Sequence, residues 1–399
     1  MNDSLVWIDD EIKTIHDNNL FRHLTEIQTG QHPEIKINGK TNVLLASNSY
    51  LGLSVDPRVI NASVEALKKY GTGSGGSRLV SGSSDLHRRL EERIAKFKNT
   101  ESAILFTTGY LANVGTISAI VGPDDIVFSD ELNHASIIDG CRLSDAKIQI
   151  YKHLDLDHLE ELIAQNLNFK KKLIVTDTIF SMDGDLVDLA KLVKIADKYN
   201  CMLMIDEAHA TGVLGERGSG ASEYFGVEDK VPIVMGTLSK AVGSLGGYIA
   251  GSKKLTDFIR NRVRSYIFDT SLPAAAIGAS LESIDIIEND KDLREHLWKL
   301  IEYFKKEINK IGLEILPSHS PIIPILIGEP EPTLNFASSL RERGIYTPAV
   351  RPPSVPEGKC RLRVSLMATH TFEHLDRALS AFKEVKQLVN NPRDLANIL

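Results

Sequence analysis

Asp206 is a candidate catalytic residue because of its type and its position in the sequence. It directly follows the apolar run at residues 202–205, so we expect it at the carboxyl end of a buried strand, where ligands collect in open α/β sheets. A buried carboxylate is costly unless a cation pairs with it. A protonated ring nitrogen of a cofactor is such a cation, and a helix cap or a metal ligand are the alternatives.

Lys240 lies in a loop that is rich in glycine and small residues, at residues 236–247. Glycines allow the backbone to approach a ligand closely, and the hydroxyls of Thr237 and Ser239 can bind a phosphate. A desolvated lysine has a lowered pKa, which suits Schiff-base formation and proton transfer. The alternative is an ordinary surface lysine, but the combination with Asp206 favours a covalently bound cofactor.

Two other motif matches lack the surroundings that their usual functions need. Residues 71–76 fit the dinucleotide pattern G-x-G-x-x-G, but they follow a predicted helix instead of a strand. Asp206-Glu-Ala-His209 spells a helicase box, but the sequence has no G-x-x-x-x-G-K-[ST] to hold nucleotide phosphates. Neither motif therefore predicts nucleotide binding, and no cluster of ligand-type residues predicts a metal site.

The composition excludes several kinds of partner and compartment. The 46 basic and 53 acidic residues give a formal charge of −7, which provides no electrostatic footprint for nucleic acid or anionic membrane. No apolar run approaches the roughly 20 residues that span a bilayer, and the acidic N-terminus does not resemble a secretory signal. The three cysteines are far apart (Cys141, Cys201, Cys360), so we expect a cytoplasmic protein without a disulfide scaffold.

The elements that must position Asp206 and Lys240 alternate between short apolar runs and amphipathic stretches. Helices are predicted at residues 56–70 and 188–199. Strands are predicted at residues 103–106, 125–128, 172–176, 202–205, 233–235 and 247–250. Fully apolar strands separated by helices predict an α/β fold whose central sheet is mostly parallel and flanked by helices.

The sequence pattern changes after a long helical stretch near residues 274–312. Prolines become frequent there, short strands are predicted at 322–327 and 360–367, and helices are predicted at 333–342 and from 371. This pattern predicts a smaller C-terminal α+β domain. We divide the chain into an N-terminal helical segment (1–45), with a strand candidate at 42–47, a large cofactor-binding domain (46–283) and a small domain (284–399).

Taken together, the motifs resemble those of the α-oxoamine synthases, a family of fold-type I pyridoxal 5'-phosphate (PLP) enzymes. Besides 206–209 and 236–240, the resemblance rests on six collinear segments at 47–53, 71–78, 106–113, 130–136, 180–185 and 361–365. It implies the fold-type I architecture, PLP as the cofactor, and an obligate homodimer with active sites at the subunit interface.

The resemblance also implies a role for each matching residue. Lys240 would bind PLP covalently and remove the α-proton of the amino acid, and Asp206 would pair with the ring nitrogen. His209 would hydrogen-bond the phenolic oxygen, and His134 would stack on the ring. Further cofactor contacts would come from Gly109, Tyr110, Ser181 and Thr237, and from Thr270 and Ser271 toward the phosphate of the partner subunit. Substrate contacts would come from Arg22, Asn48, Ser354 and Arg363.

The branch of the family is indicated by one stretch, residues 349–358, which contains Arg351-Pro352-Pro353. It resembles the branch that joins alanine to a pimeloyl thioester, carried on coenzyme A or acyl carrier protein, in biotin biosynthesis. The segment 130–140 is shared with the branch that condenses glycine with acetyl-CoA, so that activity or a dual specificity stays open. A non-catalytic family subunit is the third alternative, and the presence of Lys240 argues against it.

Overall fold

The structure is a computed structural model that describes residues 4–389. Two compact units are present. The larger comprises Asn48–Ser181 and Asp185–His296, and the other combines, among the described residues, 4–47, Met182–Gly184 and 297–389. The predicted boundary near residue 284 falls inside a helix, Ala274–Asn289.

The strands and helices are numbered along the chain. The strands are β1 (Glu34–Ile37), β2 (Lys40–Leu44), β3 (Ser102–Phe106), β4 (Ile126–Asp130), β5 (Lys147–Tyr151), β6 (Lys172–Asp177), β7 (Met202–Asp206), β8 (Ile233–Thr237), β9 (Gly247–Gly251), β10 (Ile322–Gly328), β11 (Ile345–Tyr346), β12 (Ala349–Val350) and β13 (Cys360–Ser365). The helices are α1 (Trp7–Asp17), α2 (Pro57–Tyr70), α3 (Asp85–Phe97), α4 (Gly109–Ile120), α5 (Ala135–Leu143), α6 (Leu156–Ala164), α7 (Leu189–Lys198), α8 (Ala221–Tyr224), α9 (Lys253–Arg262), α10 (Arg264–Ile267), α11 (Ala274–Asn289), α12 (Lys291–Ile311), α13 (Pro330–Glu342) and α14 (Phe372–Val389).

The larger unit is built on a seven-stranded sheet in the order β3-β9-β8-β7-β6-β4-β5. Strands β8, β7, β6, β4 and β5 run parallel to one another, whereas β9 is antiparallel to both β3 and β8. The interior strands are buried along nearly their whole length because helices cover a parallel sheet on both faces. The prediction of a mostly parallel, helix-flanked sheet is confirmed, together with its six predicted strands.

Helix packing around this sheet follows the predicted apolar faces. Leu189, Leu192, Val193 and Ala196 of α7 are all buried. Helix α11 packs against α2 at Gly278, where an added Cβ would lie 2.7 Å from the carbonyl oxygen of Ala62. A side chain at this position would therefore push the two helices apart.

The other unit contains two small sheets. One has the order β10-β13-β12 and is antiparallel throughout, which confirms the predicted smaller sheet domain in the C-terminal part of the chain. The second has the order β1-β2-β11, in which β11 joins β2 in parallel. Strand β1 lies in the stretch predicted to be helical, whereas β2 overlaps the strand predicted at 42–47. Together they form a hairpin whose buried side chains pack with Met367.

Membrane-spanning helices and metal-binding clusters are both absent from the part of the chain that the structure describes. No helix there is long and apolar enough to cross a membrane. No group of three histidine, cysteine, aspartate or glutamate side chains there is placed to hold a metal ion.

Candidate active site

A cavity of about 230 Å³ opens at the carboxyl ends of β6, β7 and β8, beside the start of α4. Six residues predicted from the sequence line it: Gly109, Tyr110, His134, Asp206, Thr237 and Lys240. This location follows from the topology, because the carboxyl ends of parallel strands share one edge of the sheet. Segments that are far apart in the sequence thus converge on one pocket.

Asp206 ends β7 and is buried next to a second acid, Asp177, which ends β6 in the same register. The Asp206 carboxylate accepts hydrogen bonds from Asn113 Nδ2 at 2.7 Å and from the Ala208 amide at 2.8 Å. Burial raises the pKa of Asp177 well above its ordinary value, and the charge of Asp206 raises it further. Because the raised pKa favours the neutral form of Asp177, it is the charge of Asp206 that is placed at this end of the pocket to pair with a protonated pyridine nitrogen.

Lys240 also lines the pocket, and its amine lies 2.8 Å from Nε2 of His209. Nδ1 of His209 lies 2.6 Å from the hydroxyl of Tyr50, which donates to Asn48 Oδ1 at 3.1 Å. The glycine-rich loop that presents Lys240 packs tightly, because Gly243 has a φ of +71° and a Cβ there would collide with the Ser54 backbone. Glycine at this position is thus a requirement of the loop.

His134 caps the N-terminus of α5 and is fixed at both its backbone and its ring. Its amide donates to Asp177 Oδ2 at 2.7 Å, and its Nδ1 lies 2.7 Å from Ser136 Oγ. Burial lowers the pKa of His134; Asp206 opposes this shift, and the charge of Lys240 adds to it. The ring is therefore mainly neutral at pH 7, as suits stacking on an aromatic cofactor.

The start of α4 is suited to a phosphate. Thr108 caps α4 by accepting the Leu111 amide at 3.1 Å, and the first amides of a helix form a natural anion site. A Cβ on Gly109 would lie 2.8 Å from Met235 Cε and 3.3 Å from Thr237 Cβ, so a side chain there would crowd this approach. Thr237 places its hydroxyl nearby, within 2.8 Å of Ser239 Oγ. An acidic end, an amine and an anion site together fit PLP.

The remaining predicted residues lie elsewhere. Ser181 belongs to the same unit but is not among the residues that line the cavity, whereas Thr270 and Ser271 line a separate small recess with Arg78 and Asp269. Arg22, Ser354 and Arg363 belong to the other unit, where Arg363 is buried and donates to Ser365 Oγ at 2.8 Å. Their roles stay predictions.

The sequence interpretation assigned no role to Asp177, Asn113 or Tyr50. Asp177 follows the apolar run 172–176 just as Asp206 follows 202–205, so the same strand-end argument could have found it. Asn113 and Tyr50 fall inside segments that carried the family resemblance. Their residue types alone gave no indication that they support Asp206 and His209.

His153 joins the loops that follow β4 and β6. Its ring lies between Asp130 Oδ1 at 2.9 Å and Asp185 Oδ2 at 2.7 Å, with its edge toward the ring of Phe180. Burial alone would lower the pKa of His153, but the hydrogen bonds and charges of the two carboxylates outweigh it and raise the pKa to about 10. The imidazolium thus links the loop before His134 to the loop that contains Ser181.

Replacement of His153 by glutamine is expected to destabilise the protein by about 3 kcal/mol at pH 6, because two carboxylates would lose their shared cation. The folded pKa lies above the ordinary value of 6.5, so this stabilisation is complete below pH 6.5 and is lost as the pH rises through about 10. Thermal unfolding from pH 6 to 10 measures it, with the exposed His32→Gln variant as control. A difference from wild type that does not shrink with rising pH would contradict the assignment.

The comparisons with known proteins agree with this geometry. Residues 40–382 match the family model described as aminotransferase class I and II. Relatives named 8-amino-7-oxononanoate synthase include that of Lysinibacillus sphaericus, 45% identical over 375 residues, or 94% of this chain and 96% of the relative. That of Geobacter sulfurreducens is 46% identical over 377 residues, again 94% and 96%. A solved serine palmitoyltransferase variant from S. paucimobilis with a bound PLP–myriocin aldimine has a TM-score of 0.92 at 31% identity, covering 97% of this chain and 98% of its own.

The sheet, the pocket and these likenesses define a fold-type I PLP-dependent enzyme. Since the likeness extends over nearly the whole chain, the chain belongs to the α-oxoamine synthases within the class I and II aminotransferase family. The cofactor predicted from the sequence, PLP, is confirmed.

Proposed function

We propose that this enzyme condenses L-alanine with a pimeloyl thioester, with loss of the alanine carboxyl group, to give 8-amino-7-oxononanoate for biotin biosynthesis. The observation that carries the proposal is that relatives with this synthase name are 41–46% identical over 92–96% of the chain. The stretch around Arg351-Pro352-Pro353 supports the same branch.

PLP supplies the electron sink that stabilises negative charge at the α-carbon of alanine. Asp206 holds the proton on the ring nitrogen, and Asn113 and the Ala208 amide keep its carboxylate in place. Lys240 anchors the cofactor and, once its amine is free, takes the α-proton onto Nζ. His209 orients the phenolic oxygen, and His134 covers the ring and excludes water from that face.

The phosphate and the substrates are assigned to the other predicted residues. The amides of Gly109 and Tyr110 and the hydroxyl of Thr237 bind the phosphate, and Ser181 supports the cofactor. Asn48 and Arg363 bind the amino-acid carboxylate, for which the planar guanidinium is suited. Arg22 and Ser354 contact the substrate; Arg22 donates to the carbonyl of Pro352 at 3.5 Å, in the stretch that indicates the branch.

We also propose a cytoplasmic homodimer in which Thr270 and Ser271 reach the phosphate of the partner subunit. A bridge between Ser77 and Thr270 ties the loop after α2 to this segment. Three apolar side chains close to it in sequence are strongly exposed: Leu79 (52%), Val80 (83%) and Phe268 (71%). Exposed apolar side chains of this size favour a protein interface.

The proposed activity is tested by measuring thiol release while alanine and glycine are crossed with pimeloyl and acetyl thioesters. Alanine with the pimeloyl thioester is expected to be at least about tenfold faster than any other combination, a difference of about 1.4 kcal/mol in the barrier. Preference for glycine with acetyl-CoA would change the proposed substrate pair but not the assignment to the family. Equal use of both pairs would identify a dual-specificity enzyme.

A further inference from the structure

Lys98 is a buried lysine that directly follows α3 and does not line the pocket. Its side chain and that of Glu207 are both 0% exposed. The ammonium donates to Glu207 Oε2 at 2.5 Å and to Thr211 Oγ1 at 2.9 Å. It also donates to the carbonyl of Ser219. Burial alone would lower the pKa of Lys98, but Glu207 and the Tyr248 hydroxyl outweigh it and raise the pKa above its ordinary value.

The Glu207 carboxylate is held on its other side as well. Its Oε1 accepts from the amide of Ser222 at 2.8 Å and from the hydroxyl of the same residue at 2.9 Å. The backbone of Gly220, with a φ of +137°, passes so close that a Cβ there would lie 2.3 Å from Glu207 Oε2. Both carboxylate oxygens are therefore hydrogen-bonded in a closely packed site, as a buried charge requires.

Glu207 and Thr211 are the two ends of one turn, in which the Glu207 carbonyl accepts the Thr211 amide at 2.9 Å. Asp206 directly precedes this turn, and His209 lies in the middle of it. The Lys98 ammonium binds the side chains at both ends, although it lies more than one hundred positions earlier in the sequence. A single buried cation thus closes the turn that carries two of the predicted cofactor contacts.

We propose that Lys98 is a positioning residue that holds the turn 207–211 and thereby fixes the directions of Asp206 and His209 toward PLP. The inference rests on the proposed roles of Asp206 and His209. A buried ion pair adds little net stability, because the desolvation of both charges offsets their attraction. Its charge-assisted hydrogen bonds are nevertheless directional, and an uncharged pair of similar volume would not impose the same geometry. The ammonium therefore contributes orientation more than stability.

The double variant Lys98→Met/Glu207→Gln separates orientation from stability. Lys98→Met alone would leave an unpaired buried carboxylate, whereas the double variant removes both charges together. Methionine keeps the length of the side chain, and glutamine keeps an acceptor for Ser222. The cofactor-free variant is expected to unfold within about 5 °C of wild type. Its Kd for PLP, measured by titration of the cofactor-free protein, is expected to rise at least about tenfold.

The matched control is Lys198→Met/Glu160→Gln, which makes the same changes in the ion pair between the exposed Lys198 of α7 and Glu160 of α6. It is expected to keep the wild-type Kd for PLP. A wild-type Kd in the buried double variant would overturn the proposal, whatever its unfolding temperature. The titration contains no amino acid or thioester, so a wrong substrate pair in the thiol-release assay would leave this result intact.

Thr211→Val provides a second test, which also decides the matter if the double variant does not fold. It removes the hydroxyl at one end of the turn, which also lies 3.3 Å from the Tyr248 hydroxyl, and keeps the ion pair between Lys98 and Glu207. Looser placement of His209 would weaken its hydrogen bond to the phenolic oxygen of PLP. The pH midpoint of the visible absorbance of bound PLP is therefore expected to rise by at least about half a pH unit.

The conservative variant Thr211→Ser keeps the hydroxyl and is expected to keep the wild-type midpoint. A loss of thermal stability in Thr211→Val without a change of midpoint would show that the clamp is merely structural and would overturn the proposal.

Discussion

Lys240→Ala is expected to lose turnover by at least about 10⁴-fold and to lose the visible absorbance of covalently bound PLP. Both the anchor and the base that takes the α-proton reside in this one amine, and each role contributes orders of magnitude. Thiol release with alanine and a pimeloyl thioester measures the first effect, and absorbance of the purified protein measures the second. Non-covalent PLP binding should persist through the acidic end and the anion site of the pocket.

The control for this experiment is Lys254→Ala, which removes an exposed lysine from α9 and the same unit of charge. It is expected to keep wild-type absorbance and turnover. A colourless wild-type protein would favour the non-catalytic family subunit. Turnover that survives in Lys240→Ala would require another base in the pocket.

The sheet could be predicted because its strands are uniformly apolar, a pattern that parallel strands share wherever both faces are covered. Strand β5 was not predicted because it lies at the edge of the sheet. Lys147 and Ile150 are exposed there, and polar and apolar residues are mixed. The stretch near residues 274–312 was predicted as one long helical stretch, but the structure has two helices separated at Asp290. Helical periodicity continues across that residue, so the pattern alone gives no sign of the break.

The N-terminal hairpin was predicted only in part: the predicted strand at 42–47 overlaps β2, but β1 was missed. Strand β1 pairs with β2, and β2 pairs in turn with β11, which lies about three hundred residues later in the sequence. Short strands of this kind are stabilised by pairing and by burial against residues such as Met367. Local propensity therefore carries little information about them.

Among the residues of the site, too, some could be predicted from the local sequence pattern and others could not. Asp206 and Lys240 could be found from local pattern because a strand end and a glycine-rich loop are both visible in sequence. Their supporting groups could not, since Asn113 reaches Asp206 and Tyr50 reaches His209 across more than ninety positions. The family resemblance supplied the positions of these segments, and the structure supplied the hydrogen bonds between them.

Asp206→Asn is expected to retain PLP loading while slowing α-proton removal by about 10²- to 10³-fold, or about 3 to 4 kcal/mol in the barrier. Asparagine is nearly the same size and its amide oxygen can still accept from Asn113 or Ala208, so the pocket should keep its shape. The charge that keeps the ring nitrogen protonated would be lost, and the electron sink would weaken. Deuterium exchange at the α-carbon of alanine measures this step directly.

The matched variant is Asp177→Asn, which removes the neighbouring buried acid but leaves Asp206 intact. It is expected to slow exchange by less than about tenfold, since Asp177 mainly holds the His134 amide, a hydrogen bond that an amide oxygen can still accept. Equal losses in the two variants would mean that the carboxyls act as one unit. Full activity of Asp206→Asn would instead move the pairing with the ring nitrogen to Asp177, the other acid that the sheet places at this end of the pocket.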